Sequence, residues 1–137
     1  MRTQTLLLAL GLFGSLVLPA HSAEHLDVSL IQLIANPKAY DGKLVRVTGY
    51  VRLEFEGNGV FLHSEDYKYR ITKNGLWIDA PENIRKSPKT FKKEFNRKFV
   101  LIEGTFSATM KGHKDAWSGS IQKITGFYDQ DEKKDED

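Results

Sequence analysis

The run LVRVTGYVRLEF, Leu44 to Phe55, constrains the fold more than any other part of this chain. Val45, Val47, Gly49, Val51, Leu53 and Phe55 share one side of an extended backbone, while Arg46, Thr48, Tyr50, Arg52 and Glu54 share the other. That period of two marks a strand with one buried face. The glycine at its centre predicts a bulge, a tight bend or a close backbone approach, and a long strand that curls through two sheets needs such a point.

Neighbouring signals extend this strand into a meander. Gly57-Asn58-Gly59 supplies residues that tolerate positive φ in a tight hairpin, and VFLH, Val60 to His63, is the returning strand. Asn74-Gly75 predicts another turn just before LWID, Leu76 to Asp79. Between them, EDYKYRITK, Glu65 to Lys73, fits either an extra strand or a long loop. The period then changes. Ser87 is a helix cap with Pro88 at the first helical position, and Phe91 and Phe95 lie one helical turn apart, so a short helix is expected to lie on the sheet. FVLIEGTFSA, Phe99 to Ala108, and SGSIQKITGF, Ser118 to Phe127, provide a fourth and a fifth strand. Upstream of all these, Val28, Leu30, Ile31, Leu33 and Ile34 crowd one broad helical face; Asp27 or Ser29 can cap its start, and Asn36-Pro37 stops it.

Three strands, a helix and two strands is the order of the OB-fold, a five-stranded Greek-key barrel with its helix between strands 3 and 4. The expected fold class is therefore mainly β: an OB-fold-like barrel carrying that short helix and an additional N-terminal helix. Another small barrel also fits the order.

The two ends of the chain read differently from the middle. Arg2, the apolar run Leu6 to Leu18 and the small residues closing at Ala23 follow the order of a secretory signal, so residues 1–23 are expected to be removed. The apolar run is too short for a bilayer anchor. The protein is thus expected to be secreted or periplasmic. The sequence contains no cysteine, which excludes a disulfide framework, a thiolate metal site and a lipid-modified cysteine. DQDEKKDED, residues 129–137, is expected to be a disordered acidic tail, because it has no apolar surface to offset its ordering entropy. Residues 24–128 form the single expected domain, with 17 bases against 12 acids.

The pieces NPKAYDGKLVRVTGY (Asn36 to Tyr50), KNGLWID (Lys73 to Asp79), FVLIEGTF (Phe99 to Phe106) and GHKDAWSGSIQKI (Gly112 to Ile124) resemble a set of small exported bacterial proteins of unknown function that carry an OB-like domain. More loosely, the chain is similar to the periplasmic bacterial OB-fold group. That resemblance implies a non-enzymatic binding module and supplies no catalytic residues. The long fourth-to-fifth connection and the N-terminal helix depart from the group.

Catalytic and metal patterns are weak. His25, His63 and His113 lie on an N-terminal arm, a strand end and a loop, without the spacing that puts two ligands on one face, so no metal or cofactor is expected. Ser118 and Ser120 stand in an alternating strand rather than a strand-to-helix elbow. Charge is the stronger signal: Arg85, Lys86, Lys89, Lys92, Lys93, Arg97 and Lys98 crowd fourteen residues opposed only by Glu94, a patch for an anionic partner. In an OB-fold the connections Glu56–Gly59 and Thr109–Trp117 flank the ligand groove, which places Met110, Lys111, His113 and Trp117 at its mouth, with Trp77 and His63 nearby. The favoured reading of Trp117 is nevertheless a core plug folded inward, with Gly112 and Gly119 permitting the turn, because tryptophan buries a large area. The expected function is an exported binding module for a protein or cell-envelope component. The alternative is exported single-stranded nucleic acid or polyanion binding, with Trp77, Tyr67, Tyr69 and Trp117 as stacking faces and the basic helix as the cationic surface.

Overall fold

The computed structural model of the protein describes residues 23–131. The expected signal segment, apart from Ala23, and the expected acidic tail beyond residue 131 lie outside the described residues. The alternating run forms β2 (Leu44–Arg52), with Val45, Val47 and Val51 essentially inaccessible. Gly49 is explained by close approach: a Cβ there would lie 2.7 Å from both Leu30 Cδ1 and the Phe61 carbonyl oxygen. The strand pairs antiparallel with β5 (Lys98–Ser107) along its length and with β3 (Gly59–Phe61) at its end.

β3 continues antiparallel into β4 (Gly75–Ile78); β4 runs parallel to β6 (Ser120–Asp129), and β6 returns antiparallel to β5. The order β2-β3-β4-β6-β5 closes on itself through β2 and β5, giving the expected five-stranded OB-like barrel. A two-residue strand, β1 (Leu26–Asp27), adds in parallel beside Val45 and Arg46 of β2, covering an edge that the short β3 does not reach.

Helices close the barrel. The N-terminal helix α1 (Leu30–Ala35) starts at a capping box in which Ser29 Oγ accepts from the Gln32 N–H and Gln32 Oε1 accepts from the Ser29 N–H, so Ser29 rather than Asp27 is the cap. It ends at Asn36, and Pro37 opens a separate turn, α2 (Pro37–Tyr40). Between β4 and β5 stand α4 (Glu82–Lys86) and the expected helix α5 (Pro88–Phe95). Phe91 and Phe95 are buried on α5 and meet Phe127 at ring-centroid distances of 4.9 and 5.1 Å, which plugs one end of the barrel.

Four details depart from the sequence reading. The alternation stops at Leu53: Phe55, assigned to the buried face, is 94% exposed, because the chain has already turned. The turn's positive φ falls on Glu56 rather than on a glycine. EDYKYRITK is neither strand nor open loop but α3 (Ser64–Lys68) followed by a 3-10 turn, Thr72–Asn74. Asp129, grouped by charge density with the tail, ends β6 with its side chain buried against Lys98.

Candidate functional site

The two connections expected to flank a groove do face each other. Glu56 and Gly57 of the β2–β3 turn and His113, Lys114, Ala116 and Trp117 of the β5–β6 connection line a cleft of about 510 Å³. The mouth is spanned by His113 and Glu56, whose Nε2 and Oε2 lie 3.6 Å apart. The third wall comes from α3 and the residues after it, through Tyr67, Lys68, Arg70 and Thr72.

An aromatic cluster separate from the main core lies beneath. Phe61 and Trp117 are 5.0 Å apart, Tyr67 stands edge-on to Phe61 at 5.9 Å, and Trp77 backs Trp117 at 6.0 Å. Trp117 fits only because residue 59 is glycine: a Cβ there would fall within the van der Waals envelope of the indole ring. Gly112, at φ +68°, lets the loop cross Trp77, where a Cβ would come within 2.6 Å of the ring. Trp117, with 5% of its surface exposed, is therefore the plug that its size predicts, and it also floors the cleft.

The connection is fastened rather than loose. Thr72 Oγ1 donates to the Ala116 carbonyl at 2.8 Å, Ser118 Oγ donates to the Lys73 carbonyl at 2.6 Å, and Lys73 Nζ reaches the carbonyls of Asp115 and Trp117, both at 3.3 Å. At its other end Asp41 Oδ1 accepts from the Ala108 N–H at 2.8 Å. Of the non-glycine residues with positive φ among those described, Glu56, Arg70, Lys114 and Asp115 belong to or adjoin this cleft. Backbone held in that region costs free energy and persists only where surrounding contacts impose it.

One wall carries a polar network. Arg52, 7% exposed although its position in the alternation is outward, lies with its guanidinium over the Tyr67 ring at 3.9 Å and donates to the Tyr67 hydroxyl at 2.9 Å and to Glu54. Tyr67 also donates to Glu54. Burial works to raise the Glu54 carboxyl, but the hydrogen bonds from Tyr67 and Arg52 outweigh it and hold the group below its ordinary value. The bond to Glu54 pushes the Tyr67 hydroxyl up, and burial adds to this. At neutral pH the pair thus stays carboxylate and phenol, an arrangement that shapes a wall and does not poise either group for proton exchange. The charge of Glu54 is matched by Arg52 and that of Glu56 faces His113. Lys68, Arg70 and Lys114 give the cleft a cationic surplus.

The anticipated groove residues separate. His113 and Trp117 line the cleft; Trp77 sits behind Trp117; Met110 and Lys111 are exposed outside it. His63 is the N-cap residue of α3, its N–H bonded to Asp66 Oδ2 at 3.1 Å, and is not part of the lining. The basic residues form a different surface: Arg85, Lys86, Lys89, Lys92, Lys93 and Arg97 are exposed on α4, α5 and the turn after them, Lys86 is paired with Glu82 at 3.0 Å, and Lys98 is paired with Asp129. Glu54, Lys68, Arg70 and Thr72 were not anticipated, because their meeting depends on how residues 64–74 fold. Among the described residues no cluster of histidines and carboxylates has the makings of a metal site, and no helix is long and apolar enough to cross a membrane. Comparison of the chain with protein-family models, curated proteins and solved structures gives no match.

Proposed function

We propose that the protein is an exported, non-enzymatic binding module whose cleft between the β2–β3 turn and the β5–β6 connection takes part of a partner protein or a cell-envelope component. The observation that supports this most directly is that both connections and α3 converge on one cleft whose loops are already hydrogen-bonded in place. Preorganisation of this kind lowers the ordering cost of binding. The cationic surplus of Lys68, Arg70 and Lys114 favours an anionic group on the ligand.

Single-stranded nucleic acid binding has less behind it. Base stacking along a groove needs open aromatic faces within it; Trp117 is buried, one face of Tyr67 is covered by Arg52, Trp77 packs edge-on to Trp117, and Tyr69, although exposed, does not line the cleft. The basic helix belongs to the plugged end of the barrel and does not line the cleft.

Backbone amide NMR titration tests the reading, with a peptidoglycan fragment, a short single-stranded oligonucleotide and a polyanion, each at low and high salt. Shifts at Glu54–Gly57, Tyr67–Thr72 and His113–Trp117 that survive high salt are expected from the peptidoglycan fragment. Shifts along Arg85–Lys98 that vanish with salt, and none in the cleft, would replace this reading with polyanion binding.

A further inference from the structure

On the other side of the same hairpin lies a second surface. We propose that Phe55 and the groove between the β2–β3 turn and α4 form a docking site for an acidic segment of a partner protein that presents an apolar side chain.

The groove has a volume of about 270 Å³; Leu53, Ala80, Ile84 and Pro88 make it apolar, while Arg85 and Lys92 supply its cations. Phe55 borders it and is almost wholly exposed. A lone exposed apolar residue needs no explanation, but a large apolar side chain beside an apolar recess is a contiguous patch. Nor is Phe55 on a slack loop. The Gly57 N–H donates to the Glu54 carbonyl at 3.3 Å, Asn58 Oδ1 accepts from the Glu54 N–H at 3.0 Å, and the Asn58 carbonyl accepts from the Ile78 N–H at 3.0 Å. Glu56 pays for this turn with φ +54°, and the result is a ring held outward.

Charge identifies the occupant. Neither Arg85 nor Lys92 stands in a salt bridge among the described residues, in contrast to Lys86 with Glu82. The one carboxylate at the groove, Glu54, is hydrogen-bonded to Arg52 and Tyr67; Lys92 attracts it at longer range, without a salt bridge, so Arg85 is the less answered of the two cations. A two-fold contact with a second copy at this groove would set Arg85 and Lys92 against their own like. An anionic membrane would satisfy the cations and Phe55 but leave the recess unfilled. Carboxylates flanking one apolar side chain satisfy all three features.

The test uses the purified protein and three synthetic peptides: a phenylalanine between glutamates, the same glutamates around a glycine, and the phenylalanine between lysines. Amide shifts at Leu53, Asn58 and Ala80 are expected with the first peptide only. Phe55→Ala should weaken it at least about tenfold, as for an interface anchor, with the melting temperature unchanged because the ring is exposed. Arg85→Glu with Lys92→Glu should abolish it and admit the lysine peptide. Equal binding of the glycine peptide would reduce the surface to a polyanion patch. No shift at millimolar peptide, a Phe55-dependent self-association, Phe55-dependent binding to phosphatidylglycerol vesicles, or a lowered melting temperature for Phe55→Ala would each overturn the proposal.

Discussion

Gly59 and Trp117 show how one residue's absence of a side chain makes room for another's ring. A methyl group at position 59 has no space beside the indole, and the partners on the far side, Phe61 and Trp77, are themselves packed. Gly59→Ala is therefore expected to lose about 1–3 kcal/mol, the usual cost of overpacking, and to shift tryptophan fluorescence as Trp117 moves. Unchanged stability in urea with unchanged emission would mean the ring has slack the packing does not suggest. Glu54 makes a prediction of the opposite kind, read in pH. Its folded value is depressed, so its contribution to stability is complete above the unfolded value of about 4.3 and is lost as pH falls through the folded value. Glu54→Gln should accordingly melt below the parent protein at neutral pH, and the difference should shrink as the pH is lowered below about 4. A gap that stays constant from neutral to strongly acid pH would show that the Arg52–Tyr67 network does not depend on the carboxylate charge.

Among the elements, α5 separates two roles that its sequence interleaves. Its inner face, Phe91 and Phe95, closes the barrel against Phe127, so Phe95→Ala is expected to cost about 3–5 kcal/mol. Its outer lysines are exposed, and Lys93→Gln should stay within about 0.5 kcal/mol of the parent by chemical denaturation. A large loss on changing Lys93 would place it in a network that the helix does not show. This helix was legible beforehand because Ser87-Pro88 and the Phe91–Phe95 spacing are local signals. β2 was legible because burial of one face enforces alternation, up to the point where the turn takes Phe55 out of the pattern. α3 was not, since five residues are too few to display a helical period, and Asp66 secures it through the distant Asn74, at 2.9 Å. The same limit hid half of the cleft. His113 and Trp117 could be placed from the position of their loop in the fold, whereas Arg70 and Thr72 reach the cleft only through the path that α3 gives the chain.

Across the whole molecule the barrel is unevenly sewn. β2 and β5 pair continuously from Leu44 with Thr105 to Val51 with Lys98, and β5 and β6 pair over a similar length, interrupted where Lys123 takes φ +47°. On the cleft side, β4 meets β6 at Trp77–Ser120 and Ile78–Ile121, and β3 is three residues long. Local opening follows the distribution of hydrogen bonds and buried contacts, so the half of the barrel that carries both proposed surfaces should open at lower free energy than the half that carries the long strands. Native-state hydrogen exchange is expected to find Val47 and Ile102 among the last amides to exchange, and those of β3 and β4 exchanging earlier, without global unfolding. Such a result would give the cleft a rigid support with a yielding wall, and a ligand held there should slow exchange in β3 and β4 while leaving β2 and β5 governed by global stability. If β3 and β4 instead exchange only with the whole barrel, the bonds fastening residues 72–75 to the β5–β6 connection are strong enough to make the cleft part of the core unit, and its ligand must enter without the wall giving way.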